Sequence, residues 1–355
     1  MISETWSDMD FVSALLHGRR SRLAEAERLD ALCAIRTIPE FVHAIEPNAP
    51  NESVVNLQRR MVSKLAGELL TFAWRVAGPV GSCLEWLAVR FQVENLKVLA
   101  RGMVTGAKLK DIEQYLAPLS EPFALDAERL VTADSIETFA SRIPSKPLQK
   151  GVRLAMPVFE RNSAGAFFIE AGLDHGYLTE LLARTEPLAA HESLVWKVLA
   201  CQETNMFHLG LAARGRLTHE LRPEDLLGFH VRGAGIRRQA FATMLAAQDA
   251  QQVAAEAAGR AIDRTYASQE KGGEAREALT PAMLEVLALN RYYRLGYWIF
   301  RRSHMGVGTV AGYAALRRVE LANLITLSEG IRAGVPAAVL RRRLIPRGAE
   351  EHERV

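Results

Sequence analysis

Three long helical segments of this chain end on the same punctuation. The first, CLEWLAVRFQVENLKVLARG, runs without Pro or Gly to Gly102; the second closes as ETNMFHLGLAARG at Gly215; the third closes as RVELANLITLSEG at Gly330. Seven places before each glycine stands a polar residue, Asn95, His208 or Asn323, and directly before it stands Arg101, Arg214 or Glu329. In the first segment Trp86, Val89, Val93, Leu96 and Ala100 form one helical stripe, and Leu84, Leu87 and Phe91 form another. A helix apolar on most sides is buried on most sides. Each glycine is expected to stop its helix. The spacings between the glycines are 113 and 115 residues, too long for a solenoid period. They predict three similar helical domains, at residues 1–118, 119–233 and 234–355.

A second echo supports repetition. The stretch beginning Asp126-Ala127-Glu128-Arg129-Leu130 resembles the one beginning Glu25-Ala26-Glu27-Arg28-Leu29, with Ile136 and Phe139 falling opposite Ile38 and Phe41. Helical periodicity dominates elsewhere, and no run of four or more residues alternates as a strand does. The fold class expected is all-α. Phe11, Leu15, Leu23, Leu29 and Leu32 are read as apolar positions of the first helices, Gly78-Pro79 and Gly81 as a break. Lys271-Gly272-Gly273-Glu274 reads as a flexible loop and Arg347 to Val355 as a frayed tail.

Composition narrows the function. With 44 basic and 41 acidic residues the formal charge is +3, too balanced to point to nucleic acid. The three cysteines, Cys33, Cys83 and Cys201, lie far apart in apolar patterns, as buried reduced thiols do. The N-terminus is acidic and has no signal-peptide core, and no apolar run approaches the roughly 20 residues of a membrane helix; a soluble protein is expected. Gly306-x-Gly308-x-x-x-Gly312 follows a helix rather than a strand, so it reads as an interhelical turn and not a dinucleotide loop. No P-loop, HExxH or GxSxG occurs, and the histidines are scattered. No catalytic residue, cofactor site or metal site is predicted. The arginine clusters Arg19-Arg20, Arg301-Arg302, Arg317-Arg318 and Arg341-Arg342-Arg343 read as solvated helix faces or as docking charges.

These segments resemble a known family. Three copies of an E/D-x-x-N-L-x-x-(I/L)-x-R-G-type helix, carried here by Glu94 to Gly102, Asn205 to Gly215 and Glu320 to Ile325, look like the central-axis subunit of archaeal/vacuolar-type rotary ATPases, called C in prokaryotes and d in eukaryotes. Gly18 to Leu23 with Leu29 to Leu32 also look like that family's N-terminus. His208 and Glu329 depart from the pattern. The resemblance implies three domains around a pseudo-threefold axis in a funnel. It implies a non-catalytic rotor socket, one copy per complex, peripheral on the cytoplasmic face of the membrane. The socket would join the D- and F-type shaft subunits to the proteolipid ring and transmit torque for ion transport. In such a socket Lys108, Lys110, Arg216 and Arg332, in the loops after the markers, are expected at a rim that meets another part of the rotor. An unrelated all-helical scaffold or adaptor is the alternative, and an unrecognised enzyme a third reading.

Overall fold

The computed structural model describes residues 2–48, 52–162, 165–266 and 279–346, so the expected loop at Lys271 to Glu274 and the expected tail lie outside the described residues. Among the described residues the architecture is all-α, with helices from Ile2–Arg20 to Ala337–Arg341 and no strand, only an isolated bridge between Ala258 and Ile262. The chain folds as two compact units. Unit 1 holds residues 1–88, 114–120 and 293–355; unit 2 holds 89–113 and 121–292. Unit 1 draws on both ends of the sequence.

In unit 1 the core gathers Leu29, Leu32, Phe41 and Leu57 with Leu324, Leu327, Leu340 and Leu344. Helix Val54–Val76 starts on Ser53, whose hydroxyl accepts from the Asn56 amide, and ends at Ala77 with a positive φ of 52°. A new helix, Gly78–Thr105, begins at once. Gly81 lies inside that helix, where a Cβ would stand 2.5 Å from the Ala73 carbonyl oxygen, so only glycine lets the two helices turn this tightly. Helix Pro281–Arg302 passes to helix Val307–Arg332 through the glycine run. Gly306, at φ 94°, starts the second of these and donates its N–H to Ser13 Oγ at 2.9 Å. Gly312 packs against Gly296, whose carbonyl oxygen would lie 2.7 Å from an added Cβ. Gly306 lies in the interhelical turn that the sequence predicts, while Gly308 and Gly312 fall inside the helix that follows.

Unit 2 has its own core of Phe168, Leu209, Leu226, Phe229, Phe241 and Leu284. The Asp126 echo matches its counterpart at the helix that comes next. Ser135 and Thr37 both cap the next helix, each accepting from the amide three residues on, and Phe139 and Phe41 are both fully buried. One apolar assignment fails: Phe11 is 55% exposed, its ring covered by the Arg75 guanidinium at 5.4 Å.

Candidate functional site

The three marker helices are Gly78–Thr105, Ala190–Gly210 with its continuation Leu211–Thr218, and Val307–Arg332. The marker glycines do not stop them. Each glycine lies in the last turns, pressed on the apolar side chain of the short helix that follows. A Cβ on Gly102 would meet Ile112 Cδ1 at 2.5 Å, one on Gly215 would meet both Leu226 methyls at 3.1 Å, and one on Gly330 would strike Leu340. Close packing, not helix termination, requires glycine there. The stop comes further on, at residues with positive φ: Gly106 at 68°, Glu220 at 53° and Gly334 at 67°. After each of these an amide returns to the marker glycine's carbonyl, from Ala107, Leu221 and Val335, each at 2.9 Å. That is the Schellman-type closure, which satisfies an orphan carbonyl.

In the second copy these positions fall one residue later than in the others. The extra residue coincides with the π-helix Leu211–Thr218, the usual way a helix absorbs an insertion.

Two of the marked polar residues, His208 and Asn323, are structural anchors. Asn95, His208 and Asn323 are all buried in helices. Asn323 accepts the Ile345 amide at 3.0 Å and donates to the Ile345 carbonyl at 2.5 Å. His208 accepts the Val231 amide at Nε2, 3.0 Å away, so Nδ1 carries the proton of a neutral ring. Histidine thus takes over asparagine's work: an acceptor for the backbone about fifteen residues beyond the glycine. The His208 ring stacks on His230 at 4.8 Å and tilts against Phe241 at 4.7 Å. Burial foremost, with His230 and His175 adding, pushes its pKa down to about 3.

Sequence reasoning missed a second anchor position. Three residues before each marked residue stand Gln92, Asn205 and Glu320, also buried. Gln92 donates to the Phe123 carbonyl at 3.2 Å; Asn205 accepts the Ile236 amide at 2.8 Å and donates to the Arg260 carbonyl at 3.1 Å; Glu320 accepts the Ala24 amide at 2.6 Å. The signal was present: two polar residues a helical turn apart inside an apolar segment.

The charges before the glycines are paired, Arg101 and Arg214 being exposed and Glu329 half-exposed. Arg101 grips Glu170 with two hydrogen bonds of 2.5 and 2.8 Å, and Arg214 meets Glu285 at 2.6 Å. Glu329 accepts from Arg332 at 2.6 Å and from Gln58 at 2.9 Å. Arg332 first, helped by Gln58, holds the Glu329 carboxyl below the usual carboxylate range.

The four rim charges do not share one register. Lys108 and Lys110 are exposed at the start of helix Leu109–Ile112. Arg216 is only half-exposed, inside the π-helix, and Arg332 ends the third marker helix in its pair with Glu329. The residues matching Lys108 at the following helix start are Arg222 and Pro336.

Among the described residues no group of three or more His, Cys, Asp or Glu is placed to hold a metal ion, and no helix is long and apolar enough to cross a membrane. Gln92, Asn205, His208, Glu320 and Asn323 of the marker helices are bonded to backbone groups of other segments. These buried side chain–backbone bonds tie the marker helices to the turns that follow them.

The model of the ATP synthase (C/AC39) subunit family matches residues 12–343. Among curated proteins the chain is similar to the C-type subunit of the V-type ATP synthase of Deinococcus radiodurans, 25% identical over 183 residues. That stretch covers 48% of this chain and 51% of the relative, so the chain matches about half the length of that protein.

Proposed function

Because the chain belongs to the ATP synthase (C/AC39) subunit family, a family of rotary-ATPase subunits, we propose that it is the non-catalytic socket of the rotor. In this reading it joins a shaft of D- and F-type subunits to the membrane proteolipid ring and passes torque between them. It sits once per complex, peripherally, on the cytoplasmic face. Its repeat units at 1–118, 119–233 and 234–355 surround a pseudo-threefold axis as a funnel, and the turns after the markers meet a neighbouring rotor protein.

One observation carries the proposal: the three turns are built alike, with a glycine on an apolar side chain, a positive-φ stop and a returning amide. A part that transmits torque needs stiff, equivalently placed supports, and buried side chain–backbone bonds supply stiffness. A match across 12–343 also argues against an unrelated adaptor whose repeat is coincidental. The test is reconstitution. The full chain, mixed with shaft subunits and the detergent-solubilised ring, is expected to bind both and to be needed for them to co-purify. A ring that retains its shaft equally well without this chain would reject the socket.

A further inference from the structure

A cleft of about 550 Å³ opens in unit 1, within the size range of small-molecule sites. Leu57, Met61 and Leu324 give it apolar surface. Its charges are unbalanced. Six cations line it against three carboxylates, Glu46, Glu68 and Glu320, and the carboxylates are already taken. Glu68 binds Arg19 at 2.5 Å and Arg317 at 3.2 Å and accepts the Tyr313 hydroxyl at 2.8 Å. Glu320 holds Arg317 and the Ala24 amide, and Glu46 holds Arg60 and Lys64.

Arg22 and Arg28 are left over. Among the described residues neither has a carboxylate partner; Arg28 donates only to the Arg22 backbone carbonyl. Both residues line the same cleft. Guanidinium forks match phosphate oxygens in pairs, and two arginines without a carboxylate partner suit a ligand with at least two negative charges. The apolar surface asks for a body attached to them.

We propose that this cleft binds a phosphate-bearing small molecule, with its phosphate oxygens on Arg22 and Arg28 and its apolar or ring portion against Leu57, Met61 and Leu324. A nucleotide and a lipid headgroup share that chemistry, and the test separates them. The full-length chain is titrated calorimetrically at low salt with pyrophosphate, with ATP and with citrate, and is sedimented with phosphatidylglycerol vesicles. The variant R22A/R28A is treated alike. Both side chains are exposed, so its melting temperature without ligand should match the wild type.

Pyrophosphate or ATP should bind, and the double variant should weaken that binding roughly tenfold or more, the size expected for lost charge-assisted hydrogen bonds. ATP tighter than pyrophosphate supports the apolar half of the site. Binding to vesicles alone, lost in the variant, assigns the phosphate to a lipid. No binding in any arm, binding unchanged in the variant, or citrate as tight as pyrophosphate overturns the proposal. The experiment needs no shaft or ring, so its failure would leave the rotor reading untouched.

Discussion

Burial leaves His208 no room for a second proton. Its ordinary pKa of 6.5 falls to about 3 in the folded chain, through desolvation first and its two histidine neighbours second. Below pH 6.5 the unfolded chain takes up a proton that the folded one refuses. Stability is therefore complete above pH 6.5 and is lost as pH falls toward 3, by about 1.4 kcal/mol per pH unit from this residue. His175, lowered chiefly by desolvation, acts in the same direction. The variant His208→Asn, which restores the residue of the other two copies, is expected to show a shallower loss of melting temperature between pH 7 and pH 5. A parallel drop in both proteins would place the acid sensitivity elsewhere. Glycine gives the second residue-scale prediction. A methyl at position 312 meets backbone atoms on the neighbouring helix, Gly296 O and Phe300 N, each at 2.7 Å. One at position 330 meets the flexible end of Leu340. Gly312→Ala should cost about 1–3 kcal/mol, as overpacking does, and Gly330→Ala less. Adding Leu340→Ala to Gly330→Ala should show non-additivity in denaturant melts, because the two sites share one contact; strict additivity would refute that contact.

At the scale of the element, the marker helices show what a sequence displays and what it hides. Trp86, Val93, Leu96 and Ala100 lie in the core as their spacing says, because 3.6-residue periodicity reports burial directly. Phe91 is buried too, at 8% exposure, and Phe91→Ala should lower stability by about 3–5 kcal/mol in denaturant melts; an unchanged midpoint would contradict its place in the core. The glycines were legible as marks but not in their purpose. Helix termination and close packing both call for glycine, and only the positions of Ile112, Leu226 and Leu340 decide between them. The anchor residues Gln92, Asn205 and Glu320 stayed hidden because their partners, Phe123, Ile236 and Ala24, lie far along the chain in segments without a pattern of their own. Arg222 stands at the start of the short helix after the second marker, as Lys108 does after the first, one residue further from its glycine because of the π-turn. The joining of both chain ends in unit 1 rests on contacts such as Glu320 with Ala24 and Arg341 with Asp30, which no local pattern announces. Asn323 is the sharpest test of an anchor. With both its amide groups on Ile345, Asn323→Ala should strand two buried backbone groups at about 1–3 kcal/mol each. Hydrogen exchange at Ile345 should rise with it.

For the whole molecule the prediction concerns charge at the marker turns. Lys108, Lys110 and Arg332 are exposed, and Arg216 is half-exposed. Lys108 and Lys110 start a helix of four residues whose own packing rests on apolar contacts such as Ile112 with Gly102, so reversing their sign leaves that packing intact. Arg332 is different. It pairs with Glu329, so Arg332→Glu sets two carboxylates together at the end of the third marker helix. The pair is solvent-screened and of small worth to stability. The combined variant Lys108→Glu, Lys110→Glu, Arg216→Glu, Arg332→Glu should therefore remain folded, with Arg216 the position most able to lower its melting temperature. Rim charges act on encounter and on salt dependence more than on intrinsic stability. If these turns meet a rotor partner, the variant should bind shaft or ring subunits more weakly, and the defect should change with ionic strength. In a reconstituted complex, ATP turnover should continue while ion pumping falls and the soluble part dissociates more readily. Three measurements decide it: ATPase rate, pumping and retention on the ring, each at low and high salt. Full retention and pumping with all four charges reversed would show that the partners are met elsewhere. The Arg222→Glu variant would then be the next probe, since Arg222 holds the position in the second copy that Lys108 holds in the first.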